Sequence, residues 1–214
     1  MNLQALQVAL PDLLKGLSVT IYATAIGMTI AAILGLIVAC CRVLRIPVLG
    51  RIGDAYVFFF RNTPLLVQLF FLFYVLPTYH LLLDPVLIGV TALGTYYGAY
   101  AAEAYRGGFA AVPREQWEAA ASMRFSTWQT LRYIILPQAI RPAVPVLGNY
   151  LISMFKESAL LSTISVYELF GQARLAASIS FQYTTIFTAV GLFYLAASRR
   201  SAPRSLKSTY PDNH

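Results

Sequence analysis

Charge is what this sequence has least of: Asp, Glu, Lys and Arg make up 12% of its 214 residues, against 58% hydrophobic ones. A soluble chain carries roughly 25% charged residues, so an ordinary soluble domain is excluded and lipid is the expected solvent. The only cysteines, Cys40 and Cys41, are neighbours at the end of an apolar run. They offer neither a disulfide framework nor metal-ligand spacing, and read as packing residues. The first residues lack a basic start and a small-residue cleavage site, so no cleavable signal is expected. No internal repeat is present. No glycine-rich phosphate loop with its lysine occurs either, so ATP chemistry, where needed, falls to a partner.

The net charge of +7 raises nucleic acid as a partner, but the basic residues sit in loops between apolar runs, which points to membrane orientation instead. The chain reads as one membrane domain over 1–214, with about five spans of roughly 20 residues. They are expected near 17–41, 55–76, 86–102, 142–161 and 181–198. Ahead of the first, the spacing of Leu3, Leu6, Leu10, Leu13, Leu14 and Leu17 suits a helix lying in the interface and interrupted or bent at Pro11. Gly16, Gly27 and Gly35 read as places of close helix approach. Arg61-Asn62-Thr63-Pro64 interrupts the second run, where a kink or break is expected.

Lys and Arg accumulate on the cytoplasmic side of membrane proteins. Arg42, Arg45, Arg51 and Arg61, then Arg106, Arg114, Arg124, Arg132 and Arg141, then Arg199, Arg200, Arg204 and Lys207 all fall on one side. Lys15, Lys156 and Arg174 fall on the other. The N-terminus is therefore expected outside and the C-terminus in the cytoplasm.

The stretch 113–137 is too polar for lipid and too patterned for a linker. Pro113 with Glu115 and Glu118 marks a helix start, with proline in the first turn and acids near the positive helix end. Ser126-Thr127-Trp128-Gln129 has capping-box spacing and starts a second short helix, expected to run to Leu136 before Pro137. A break falls near Arg124-Phe125. Such a helical elbow either presents itself to a soluble partner or packs on its own subunit.

Several segments resemble a known family. Gln116-Trp117-Glu118-Ala119-Ala120, followed by Gln129 to Ala139 (QTLRYIILPQA), looks like the EAA loop of ABC importer permeases of the polar amino-acid branch. Phe60-Arg61-Asn62-Thr63-Pro64-Leu65-Leu66-Val67-Gln68, Glu103-Ala104-Tyr105-Arg106-Gly107-Gly108 and Leu147-Gly148-Asn149-Tyr150 with Lys156-Glu157-Ser158 agree, over nearly the whole chain. The resemblance implies an all-α integral membrane protein of the type I importer fold, with a cytoplasmic EAA-type coupling helix. It implies a second permease subunit, identical or sister, two ABC ATPase subunits, and an extracytoplasmic solute-binding protein in a bacterial inner-membrane complex. No cofactor or metal is implied, and the chain itself is expected not to be an enzyme. Segments 69–77 and 147–157 look most like permeases of the ectoine and hydroxyectoine type. The rival readings are a proton-coupled carrier acting alone, which would have more spans, often as repeats, and a membrane enzyme, which would show a nucleophile with a base or paired acids inside the spans.

On this resemblance Arg114, Trp117, Glu118, Ala119, Ala120, Met123, Arg124 and Phe125 are the expected ATPase-coupling residues. The family has a glycine where this chain has Arg124; a left-handed backbone there would cost a non-glycine residue about 1 kcal/mol. The C-terminal end departs too, turning abruptly to Arg199-Arg200-Ser201-Ala202-Pro203-Arg204. Intramembrane charges are costly and point to function. Lys156 and Glu157 either line the solute pathway or form a structural bridge. Arg61 either pairs with a carboxylate in the pathway or snorkels to the interface. Gln68 and Asn149 either hydrogen-bond solute or hold helices together. Tyr96, Tyr97, Tyr100 and Tyr105 follow helical spacing and read as packing or interface anchors rather than a solute cage.

Overall fold

A computed structural model describes residues 3–200, and among these every regular element is helical. The basic tail with Arg204 and Lys207 lies outside the described residues. The first element, α1, runs unbroken from Leu3 to Val43 with Pro11 inside it. An interruption at Pro11, with a separate interfacial helix ahead of it, is thus corrected to one continuous helix. Proline removes one backbone bond, but Ala9 and Leu13 on either side of it are buried against Leu169, Ala173 and Ala177, and that packing keeps the helix continuous.

The next helices are α2 (Pro47–Asn62) and α3 (Leu65–Phe70), which continues as a π turn (Phe71–Val75) and a 3₁₀ turn (Leu76–Tyr79). Between Pro47–Asn62 and Leu65–Tyr79 the axis bends by 102°. Thr63 and Pro64 are extended there, as the interruption in the second apolar run leads one to expect. Then come α4 (Pro85–Ala110), α5 (Arg114–Ser122), α6 (Thr127–Gln129) with a π turn (Thr130–Ile135), α7 (Leu136–Glu157) with a 3₁₀ turn (Ser158–Ile164), α8 (Leu169–Ser180) and α9 (Tyr183–Arg200).

The helix begun at Thr127 does not stop before Pro137; it passes through into α7, which corrects the expected short helix ending at Leu136. Both π turns end two residues before a proline, Val75 before Pro77 and Ile135 before Pro137. A proline ring collides with the carbonyl four residues back. Widening the turn moves that carbonyl aside, so the helix survives.

At the centre α1 packs along α4, and α7 packs against α4 and also touches α1. Gly35 makes the crossing possible: a Cβ there would stand 2.6 Å from the Cβ of Ala101 and 2.9 Å from the carbonyl of Gly98. Leu93, Tyr97, Leu69, Met154 and Leu161 form the buried core of one half of the bundle. Tyr105, Phe109, Leu131 and Ile135 form that of the other half. Among the described residues α1 alone is long and apolar enough to cross a membrane, and α2 with α3 qualify as a bent pair. The polarity of the others is needed elsewhere: α4 carries tyrosines and glycines, and α7 carries Arg141, Asn149 and three prolines.

Helix ends follow one device. Arg45, His80, Arg124 and Ser165 each have φ between 52° and 66°, although none is glycine. At Arg45 the amide of Ile46 reaches back to the Cys41 carbonyl at 3.1 Å and that of Arg45 to Arg42 at 3.1 Å. This is the Schellman stop, usually built on glycine.

Candidate functional site

The elbow is built from its own sequence. Pro113 caps α5, Glu115 occupies its first turn, and the chain stops at Arg124 with φ 59°. The amide of Phe125 donates to the Ala120 carbonyl at 3.1 Å and that of Arg124 to Ala121 at 3.0 Å, a second Schellman stop. The capping box at Ser126 is complete: the Ser126 amide donates to Gln129 Oε1 at 2.9 Å, and the Gln129 amide donates to Ser126 Oγ at 3.3 Å.

What holds the elbow to the bundle is partly apolar and partly a glutamine pair. Trp117 packs half-buried with Val112, Leu131 and Ile135. Gln138 Nε2 donates to Gln116 Oε1 at 3.2 Å and to the Ile134 carbonyl at 2.8 Å. Ala120 is fully buried, so its methyl faces its own subunit and serves the seating of α5, not direct contact with a partner. Ala119, Arg114 and Glu118 are exposed, the last two forming an ion pair at 3.7 Å. Such an exposed pair contributes at most about 1 kcal/mol.

Beyond them the elbow presents apolar groups to solvent: Met123 is 67%, Trp128 62% and Phe125 37% exposed. Exposed side chains of this size on a rigid, capped turn fit a desolvated cleft of a soluble protein. Trp128 was missed in the sequence, where it counted only as a member of the capping box.

The second constellation lies along α4. Tyr97, itself buried, donates its hydroxyl to Glu157 Oε2 at 2.9 Å. The ring of Tyr150 stands 6.2 Å from Tyr97 and 5.8 Å from Tyr100. The hydroxyls of Tyr96 and Tyr100 are 3.2 Å apart. The guanidinium of Arg61 lies 5.3 Å over the Tyr100 ring, within cation–π range, and 4.0 Å from Glu103 Oε2. A lane of tyrosines therefore leads from the Glu157 carboxylate to Arg61. Lys156, next to Glu157 on α7, is exposed and forms no ion pair with it among the described residues. Asn149 is exposed as well.

Gln68 is placed differently. It is buried, and its Nε2 donates to Thr63 Oγ1 at 2.8 Å and to the Thr63 carbonyl at 3.2 Å. It thus satisfies the backbone freed by the break at Pro64, while its Oε1 has no partner.

Two charged groups that the sequence did not single out organise the bundle ends. Arg42 donates to Asp54 at 2.6 Å and to Glu103 at 2.5 Å, and Arg106 donates to Glu103 at 2.8 Å. Burial works against the charge of Glu103, but the hydrogen bonds from Arg106 and Arg42 outweigh it and hold the carboxyl below its ordinary value. At the other end Glu168, fully buried, accepts from the amides of Gly171 at 2.7 Å and Phe170 at 2.8 Å and from Thr20 and Tyr194 at 3.3 Å. Glu168 is visible in sequence only as an acid before a helix. Nothing local pairs it with Thr20, or Arg42 with Glu103.

Residues 31–198 match the family described as binding-protein-dependent transport system inner membrane component. A probable amino-acid ABC transporter permease protein of Sinorhizobium fredii is 40% identical, over 87% of this chain and 80% of its own length. Another from Vibrio harveyi, PatM, is 41% identical over 86% of this chain and 84% of its own. A crystal structure described as an amino acid ABC transporter with histidines superposes with a TM-score of 0.87 at 31% identity, covering 94% of each chain.

Proposed function

The chain belongs to the family of binding-protein-dependent transport system inner membrane components, and from that premise we propose that it is the permease through which an ATP-driven importer passes amino acids or amino-acid-derived solutes. As a member of that family it is a multi-pass transport component of the inner membrane and not an enzyme. On this reading it crosses the membrane about five times, with the N-terminus outside and the C-terminus in the cytoplasm. It pairs with a second permease, identical or sister, and takes solute from an extracytoplasmic binding protein. Two ABC ATPase subunits dock on the cytoplasmic face of the pair, and this chain's elbow seats in one of them. Amino acids as cargo are supported by the names of the relatives and of the similar structure.

The observation that carries the proposal is the elbow: a short helix, α5, and a capped turn into the helix begun at Thr127, with Glu118 and Ala119 exposed beside Met123, Phe125 and Trp128. Coupling needs rigidity, because ATPase motion must reach α7 as displacement and not be absorbed in the loop. The unbroken path from Thr127 through the π turn into α7 supplies that lever. Arg114, Trp117 and Arg124 seat or flank the contact. In proteoliposomes holding the assembled complex, Glu118→Lys is expected to abolish ATP-driven uptake while the chain still inserts. Uptake at the normal rate would refute the assignment.

For the solute path the reading assigns Glu157 with Tyr97 to an ammonium group and Arg61 to a carboxylate. Asn149 and Lys156 line the exposed flank of α7, and Gln68 acts indirectly by fixing the bend. Ectoine and hydroxyectoine are the narrower candidates within this class, carried by segments 69–77 and 147–157. The ligand retained by the associated binding protein decides between them and ordinary amino acids.

A further inference from the structure

Where α1 ends and α2 begins, a cleft of about 580 Å³ opens between the connecting turn, the first turns of α2 and the end of α4. Its wall carries four guanidiniums, from Arg42, Arg45, Arg51 and Arg106, against one carboxylate, from Asp54. The four are not equivalent. Arg42 is engaged by Asp54 and Glu103, and Arg106 by Glu103. Arg45 and Arg51 are exposed and form no ion pair among the described residues. The cleft therefore has two positive charges without a counter-charge, set beside two that are held in place. The Schellman stop fixes the backbone of Arg45. The first turn of α2 adds to the positive end, since Ile46 gives it no side-chain cap.

An apolar face continues from the cleft along α2, where Val48, Leu49 and Ile52 are exposed. Planar guanidiniums bind phosphate oxygens in pairs, and an apolar face beside them suits acyl chains. A free anion would use only the first feature; a phospholipid uses both. We propose that this cleft binds the phosphate of an anionic phospholipid of the phosphatidylglycerol type, held chiefly by Arg45 and Arg51, with its acyl chains against Val48, Leu49 and Ile52. Basic pockets between helices at the cytoplasmic face commonly take such headgroups. The simpler role for these arginines, setting orientation by charge alone, requires neither a cleft nor a preference among lipids.

This inference rests on the reading of the chain as a membrane permease. It is tested where orientation and transport do not matter, on the purified full chain in detergent, so its failure is distinct from failure of that reading. Phosphatidylglycerol and phosphatidylcholine are supplied in equal amounts, and retained lipid is counted by native mass spectrometry. The wild type is expected to retain phosphatidylglycerol and not phosphatidylcholine. Arg45→Gln with Arg51→Gln is expected to weaken retention about tenfold, as loss of charge-assisted phosphate contacts implies. The paired lysine variant, which keeps charge, is expected to recover part of it. Retention unchanged in the glutamine variant overturns the proposal. Inorganic phosphate displacing the lipid at equal concentration also overturns it, by assigning the cleft to a free anion. Purification of the whole complex supplies the remaining outcome: a glutamine variant that keeps its lipid but loses the ATPase also overturns the proposal, by making the cleft a protein contact.

Discussion

The elbow and the tyrosine lane are built on opposite plans. Between Pro113 and Gln129 nearly every feature is local: a proline start, an acid in the first turn, a capping box four residues wide, a helix stop spanning six residues. The lane and its charged end join α1, α2, α4 and α7, and the partners stand far apart in the chain, with Tyr97 on Glu157 and Arg42 on Glu103. On the proposed reading the exposed face of the elbow is kept for a partner, while its buried face seats α5 on the bundle. The lane and its charged end hold the bundle together. Damage to the first should therefore appear in coupling, and damage to the second in stability as well as transport.

The largest break expected is at Glu103. Glu103→Ala leaves Arg42, whose side chain is 17% exposed, without its partner on α4 and removes the α4 partner of Arg106. Arg42 keeps Asp54, so the cost is that of the part-buried charge-assisted hydrogen bonds that are lost, about 2 kcal/mol. A melt of the purified chain should shift down clearly, whereas Glu118→Lys should melt like the wild type. Equal melting of both variants would erase the contrast drawn here. The pH dependence has a defined sign: the Glu103 carboxyl is held below its ordinary value, so its contribution is complete above the unfolded value and fades as pH falls through the lowered folded one. Melting of the wild type should drop on acidification more steeply than that of the Glu103→Ala variant.

A sharper, smaller test is Glu157→Gln. The amide oxygen still accepts from Tyr97, so the bundle should keep its stability, while the negative charge at the head of the lane is gone. Uptake of solutes bearing an ammonium group should fall about tenfold, the worth of one charge-assisted hydrogen bond over a neutral one. Unchanged uptake and unchanged solute preference would make Glu157 a structural bridge.

What could be read from sequence divides along the same line. Helix starts, the break at Pro64 and the stop near Arg124 are set by residues within a turn of one another, and sequence patterns carry that information. Ala120 shows the limit. Its place in the motif marks it as part of the elbow, but its burial follows from how α5 lies on Leu131 and Ile135, which the local pattern does not contain. Pro11 and Pro137 are the same lesson for backbone. Each is a helix breaker by local rule, overridden by packing against α8 in one case and by a widened turn in the other. The Arg42–Asp54–Glu103 network and the burial of Glu168 depend on which helices meet, so composition left no trace of them.

The smallest effect expected concerns Arg124, the residue at which the elbow departs from its family. The backbone there is left-handed, φ 59°, and the two hydrogen bonds that define the stop come from main-chain amides, not from the arginine side chain. Arg124→Gly should keep both bonds and relieve strain worth about 1 kcal/mol, part of which is lost again to the greater freedom of glycine in the unfolded chain. Melting should rise slightly or stay level. The informative measurement is therefore coupling and not stability. If Arg124 serves only as a helix stop, the glycine variant transports like the wild type. If the guanidinium instead meets an acidic group on the ATPase, uptake falls while melting does not, and restoring a cation with Arg124→Lys recovers part of it. Either result separates the local device from its use, because the same turn is built at Arg45, His80 and Ser165 at positions outside the elbow.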